Sequence, residues 1–232
     1  MDKFVHDTAE AIIFPGWGIP PEFYWDSIEK CSFSSVDIFD YGFFQDSDEP
    51  MNLPSGEDEY PPVLIGHSMG AMFAVRAALQ DPESVRRLIL INPFPCFVRK
   101  EDFSCGWEKT TIELMRKNLK RKPAAQLTSF LRMCASPGTF NRTLPEILNV
   151  RALDDGLLFL ETEDVRPELP LLEEVSVICL ESEADAIVNP LMTDAIVDAC
   201  GALCKVIPGG THLTMLDDPA ACAAQFRDLV VL

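Results

Sequence analysis

The chain has 232 residues, 47% apolar and 24% charged, with a net charge of −18. That length and apolar share suit one domain with a real core, and they exclude a disordered chain, a collagen, a coiled coil and a solenoid. The acidic balance argues against nucleic acid or anionic membrane as partners. No apolar run nears the ~20 residues of a membrane span. The first residues lack the basic start and apolar stretch of a secretory leader, so a soluble, cytoplasmic protein is expected. Eight cysteines include no CxxC pair, and the three histidines lie far apart. No metal site is expected, and the cysteines read as reduced core thiols.

In chain order, residues 11–14 read as a buried strand, followed by the loop Phe14-Pro15-Gly16-Trp17-Gly18 and a helix over 21–29. A second strand spans 36–39. Residues 47–62, acidic and rich in Pro and Gly, read as an exposed loop. A third strand over 63–65 leads into an Ala-rich helix over 69–79. A fourth strand spans 88–91. From 98 to 168 the rhythm breaks, with helices at 107–122, 123–134, 144–150 and 152–161 and no convincing strand. The alternation then resumes: a strand over 175–180, a helix over 191–200 and a strand over 203–207. A closing helix spans 219–230, with Asp218 as N-cap and Pro219 at its first position.

Continuous rather than alternating apolar runs point to strands buried on both faces, hence a mainly parallel sheet. The expected fold is α/β with about six strands. Residues 1–97 and 169–232 form its core, and 98–168 form a helical insertion lying over the sheet edge as a lid.

The strongest motif is Gly66-His67-Ser68-Met69-Gly70, a G-x-S-x-G placed between a strand and a helix. That context is what a nucleophile elbow requires, with glycines two positions either side so that backbone can approach closely. A serine hydroxyl needs a base. His6 lies near the terminus, and His67 is adjacent to Ser68, where its side chain diverges from Oγ; His67 is expected to line the substrate pocket instead. His212 follows the last strand and is the expected base. Asp185, just past the fifth strand, is the expected acid that orients it, with Glu181 and Glu183 as rivals. Asp194 and Asp198 belong to the next helix and read as solvated. The chain order Ser68, Asp185, His212 fits this constellation. The expected oxyanion donors are the main-chain N–H groups of Met69 and Trp17.

Together these residues resemble the α/β-hydrolase superfamily over nearly the whole chain, without its usual first two antiparallel strands. A closer resemblance rests on Phe14 to Gly18, Gly66 to Gly70 and Asn92-Pro93-Phe94-Pro95-Cys96-Phe97, together with the run from Leu153 to Arg166. These are similar to pimeloyl-[acyl-carrier protein] methyl ester carboxylesterases of biotin synthesis. The resemblance implies serine-esterase chemistry through Ser68, His212 and Asp185, with Trp17 and Met69 at the oxyanion. It also implies that Phe130 is a lid aromatic lining an acyl channel, and that no cofactor is needed. Pro15, His67 and Ser182 depart from the pattern, where relatives carry histidine, tryptophan and glycine. The family's lid arginines do not match position by position.

The charge is unevenly spread. Residues 99–142 carry a net +6, so the remainder carries −24. With the resemblance, that basic segment reads as a landing surface for an acidic acyl carrier protein, through Arg116, Lys117, Lys120, Arg121 and Lys122. Arg116 and Lys120 share a helix face by their spacing. A solvated basic face is the bland alternative. The expected protein is a monomer whose partner is acyl carrier protein bearing an esterified acyl chain. A general short-chain carboxylesterase or acyl-thioesterase is the runner-up, and a hydrolase-fold binding protein without turnover comes third.

Overall fold

A computed structural model describes residues 10–31, 33–53, 63–85, 87–138 and 140–227. Its centre is a six-stranded sheet of β1 (Glu10–Phe14), β2 (Ser35–Ile38), β3 (Val63–His67), β4 (Arg87–Ile91), β5 (Ser176–Ser182) and β6 (Leu203–Ile207). The spatial order is β2-β1-β3-β4-β5-β6, and every pairing is parallel. All six expected strands are present, within two residues at each end. Burial explains why they were legible. All five residues of β3 are buried, and β4 and β5 are nearly so, whereas the edge strands β2 and β6 are half open. A strand covered on both faces reads as an unbroken apolar run.

The strand order creates the site. The chain runs outward from β1 to β2 and then crosses back to β3, so the connections leaving β1 and β3 diverge in opposite directions. Such a switch point opens a crevice beyond the carboxyl ends of the two strands. The loop after β1 and the elbow after β3 meet there, joined by the loops after β5 and β6.

The helices flank this sheet. A single 3-10 turn (Pro21–Phe23) and the one-turn α1 (Trp25–Ile28) occupy the stretch expected as one helix over 21–29. The 12-residue α2 (Met69–Gln80) is buried along most of its length. Between β4 and β5 lie α3 (Lys109–Arg121), α4 (Pro123–Cys134) and α5 (Val150–Thr162). After β5 come α6 (Pro190–Cys200), α7 (Thr214–Asp217) and α8 (Pro219–Arg227). Asp218 Oδ1 accepts the Ala221 N–H at 2.9 Å, the cap expected from sequence.

One expected helix is absent. Residues 144–149 are irregular, and α5 starts at Val150. Pro145 removes a backbone donor and disfavours helical geometry at Leu144. Asn149, expected inside that helix, instead caps the next one, accepting the Ala152 N–H at 3.0 Å. The loop expected over 47–62 is irregular and largely exposed as far as Leu53; its remainder, like His6, lies outside the described residues. Among the described residues, no helix is long and apolar enough to cross a membrane.

Candidate active site

The turn after β3 is held open by its glycines. A Cβ on Gly66 would lie 2.5 Å from the Ala71 backbone, and one on Gly70 only 1.9 Å from the Phe14 carbonyl oxygen. Both positions therefore exclude any side chain. Between them Ser68 adopts φ 55°, ψ −121°, an uncommon conformation for a residue with a Cβ. Its N–H donates to the Ile91 carbonyl at 2.9 Å, anchoring the turn to β4. The strained turn places Ser68 directly before Met69, the first residue of α2.

Three side chains from three loops converge there. Ser68 Oγ lies 2.9 Å from His212 Nε2, and His212 Nδ1 lies 2.7 Å from Asp185 Oδ2. The carboxylate oxygen accepts, so the proton sits on Nδ1 and the Nε2 lone pair faces the serine hydroxyl. The other Asp185 oxygen accepts the N–H groups of Ile187 and Val188 at 2.7 and 3.0 Å, which fixes the carboxylate's orientation. The His212 side chain has no exposed surface and that of Asp185 only 3%. The carboxylate on His212 Nδ1 is that of Asp185, not of a rival: Glu183 accepts the Gly209 N–H at 2.8 Å, and burial, with Asp194 and Asp185 adding to it, pushes the Glu181 carboxyl up.

The two expected oxyanion donors flank this constellation. Met69 opens α2, where a first-turn N–H has no partner within the helix. Trp17 lies in the loop after β1 and is buried, and no described group accepts its main-chain N–H. Its indole is locked to the insertion: Nε1–H donates to the Leu153 carbonyl of α5 at 2.8 Å. Phe130 of α4 meets the indole edge-on with ring centroids 4.9 Å apart. Phe130 is itself buried, so it packs on the loop after β1.

His67 departs from its expected place. It has no exposed surface. Nδ1 lies 2.8 Å from the Tyr24 hydroxyl and Nε2 2.9 Å from the His212 carbonyl, so both ring nitrogens are engaged by protein. Desolvation, and then the neighbouring His212, hold its pKa well below the usual imidazole range.

The basic helix α3 also differs from expectation. Arg116 and Lys120 do share a face, but that face is turned onto α5. Arg116 pairs with both oxygens of Asp154 at 2.9 and 3.2 Å and with Glu161 at 3.1 Å. Lys120 reaches Asp154 at 2.8 Å. The docking role expected of these two conflicts with that commitment: the acids of α5 neutralise them. Lys117, Arg121 and Lys122 are exposed and have no ion pair among the described residues. Arg121 and Lys122 line an open groove of about 360 Å³ with Asn118, Ala125, Gln126 and Ser129.

Two residues of this site were assigned no role from sequence. Tyr24 reads as one aromatic among many. Asn92 is buried at φ 46°, a left-handed position that Asn tolerates. Its Oδ1 accepts the Ser182 N–H at 2.8 Å, and its Nδ2 donates to the Thr211 and His212 carbonyls, each at 3.3 Å.

A parallel sheet with a strained serine turn, a histidine and an aspartate at its carboxyl edge defines a hydrolase architecture. The chain belongs to the alpha/beta hydrolase family, whose sequence profile matches residues 7–225. Among solved structures, an esterase from Exiguobacterium antarcticum superimposes with a TM-score of 0.79, covering 97% of this chain and 93% of its own at 15% identity. An enol-lactonase from Burkholderia xenovorans gives 0.77 at 12% identity, with 97% and 92% covered. At these identities the likeness speaks to fold alone. In sequence, the chain is similar to proteins named pimeloyl-[acyl-carrier protein] methyl ester esterase. The one from Stenotrophomonas maltophilia R551-3 is 28% identical over 95% of this chain and 92% of its own length. Those from Nitrosospira multiformis and Nitrosomonas europaea are 30% and 35% identical, over 55% and 46% of this chain. The matches span about half the length of these two relatives, 52% and 46%.

Proposed function

We propose that this carboxylic ester hydrolase cleaves the methyl ester of pimeloyl-acyl carrier protein in biotin precursor synthesis, in the cytoplasm, as a monomer. The observation that carries the chemistry is the 2.9 Å approach of Ser68 Oγ to His212 Nε2, with Asp185 behind it. The substrate is supported by the names of relatives that align along the whole chain.

In this reading Ser68 Oγ attacks the ester carbonyl carbon as its proton passes to His212 Nε2. The N–H groups of Trp17 and Met69 hold the oxyanion, and the tetrahedral adduct collapses. Methanol leaves with the proton from Nε2. Water then attacks the acyl-enzyme, again losing a proton to Nε2, and the free ω-carboxyl of the carrier-bound acyl chain is released as Ser68 recovers its hydrogen. Asp185 keeps the imidazole in the required tautomer and stabilises its cationic form. Residues 98–168 act as the lid, and Phe130 steadies the oxyanion loop from it.

Docking of the acidic carrier falls to Lys117, Arg121 and Lys122. At physiological salt the screening length is about 8 Å, so local charge outweighs the distant −18. The test is methanol release from carrier-linked and unlinked pimeloyl methyl esters. Faster turnover of the carrier-linked ester, weakened by Lys117→Glu/Arg121→Glu/Lys122→Glu, is expected. Equal turnover of the free ester, indifferent to that reversal, would make the protein a general short-chain esterase.

A further inference from the structure

Two buried ionisable side chains sit against the candidate site without a part in the proposed reaction. Tyr24 lies just before α1 and His67 immediately before the nucleophile. Their hydrogen bonds can be ordered without ambiguity. The His212 main-chain carbonyl only accepts, so His67 Nε2 carries the proton that reaches it at 2.9 Å. Burial keeps His67 neutral, so its Nδ1 is a bare acceptor. The Tyr24 hydroxyl, held protonated by burial, therefore donates to Nδ1 at 2.8 Å. The same hydroxyl accepts the Gly16 N–H at 3.0 Å. Gly16 is the residue before Trp17, and a Cβ there would lie 3.1 Å from Ser68 Cβ.

We propose that Tyr24 and His67 are positioning residues, a neutral hydrogen-bonded strut that runs from the oxyanion loop, through the elbow, to the backbone of the catalytic histidine. The inference rests on the serine-esterase reading of Ser68 and His212. The Tyr24 hydroxyl and both His67 ring nitrogens are engaged by protein, so neither side chain is free to meet substrate. The strut differs from the Asn92 clamp, which grips the same His212 carbonyl but connects only the acid and base loops. Through Gly16, the strut alone adds the oxyanion loop to the register. Pre-organised donors are effective only when their position relative to the nucleophile is fixed before charge develops, so its loss should slow chemistry more than it weakens binding.

The test uses Tyr24→Phe, His67→Leu, His67→Gln and the double variant Tyr24→Phe/His67→Leu. Each is assayed on p-nitrophenyl acetate, with thermal unfolding measured alongside. Tyr24→Phe is expected to lower kcat about tenfold while KM stays within about twofold, the signature of an interaction made in the transition state. His67→Gln retains an N–H for the His212 carbonyl and should recover part of what His67→Leu loses. The double variant should be no slower than His67→Leu, because the strut is already cut. A lower melting temperature with unchanged kcat would reduce the pair to structural packing and overturn the proposal. So would a raised KM at constant kcat, or losses that multiply in the double variant. A wild-type protein that neither turns over nor labels at Ser68 with a fluorophosphonate would instead remove the esterase reading beneath it.

Discussion

The carboxyl edge of the sheet and the inserted helices are held together by different physics. At the sheet edge the partners are buried, mostly uncharged and largely main-chain: Asn92, His67 and Tyr24 tie loop to loop through carbonyl and amide groups. In the insertion they are ions, with largely buried acids meeting partly buried arginines and exposed lysines. Arg116, Lys109 and Lys120 of α3 meet Asp154 and Glu161 of α5, and Lys100 and Arg166 meet Asp164. Short buried hydrogen bonds fix geometry to tenths of an ångström and are scarcely touched by salt. Ion pairs with one partner open to solvent, such as those of Lys109 and Lys120, hold two helices in register yet are partly screened by salt. The lesson concerns how charge is read. A net +6 in the segment 99–142 suggested a free landing surface, but much of that charge faces acids that lie later in the chain.

The largest effects should come from breaking the sheet edge. Ser68→Ala should cost about 10⁴-fold or more in kcat, with unchanged melting and loss of fluorophosphonate labelling. Retained turnover in that variant would remove Ser68 as nucleophile. Asp185→Asn should cost about 10³–10⁴-fold, because an amide nitrogen facing Nδ1 favours the wrong tautomer. It should cost some stability as well, since Oδ1 caps two main-chain N–H groups of its own loop. Measured kcat for the variant, with the melting temperature as control, separates the two contributions.

The same contrast explains what could be read from the sequence. The six strands were legible because each inner strand is an apolar run with punctuation on both sides. Ser68, His212 and Asp185 were singled out from motif, chain order and position relative to strands, and the fold brings them within hydrogen-bonding distance. What escaped was pairing across long separations. Arg116 meets Asp154 over 38 residues, and His67 turns to Tyr24 over 43. Nothing local marks such partners, so Arg116 read as free and His67 as a pocket wall. The spurious helix over 144–150 failed for a nearer reason: apolar spacing outweighed Pro145 and the capping side chain of Asn149.

A smaller effect probes which charges of α3 remain free. Reversing Lys117, Arg121 and Lys122 together should lower the ratio of kcat/KM for carrier-linked over unlinked ester about tenfold at low salt, mostly through association. The gap should narrow as salt is raised. A ratio unmoved by the reversal would return this face to the solvated surface it otherwise resembles.

The smallest effect tests the insertion's internal pairing, through stability and its dependence on pH. Burial works to raise the Asp154 carboxyl, but hydrogen bonds and charge from Arg116 and Lys120 outweigh it and hold it below the usual carboxylate range; Lys109 and Arg116 do the same for Glu161. A carboxylate whose pKa is depressed on folding contributes stability that is complete above its unfolded pKa, near 4, and is lost as pH falls toward the folded value. The wild-type melting temperature should therefore fall as pH drops below about 4. Arg116→Ala removes the bidentate partner of Asp154 and one partner of Glu161, so both folded pKa values rise toward the unfolded ones. At pH 7 the variant should lose about 1–2 kcal/mol, or roughly 2–8 °C for a chain of this size. The difference from wild type should shrink as pH falls below about 4 and vanish once pH has passed the depressed folded values of wild type, where the acids are neutral in both proteins. A deficit that persisted undiminished into acid would mean that the Arg116 side chain stabilises the α3–α5 seam through the packing of its methylenes.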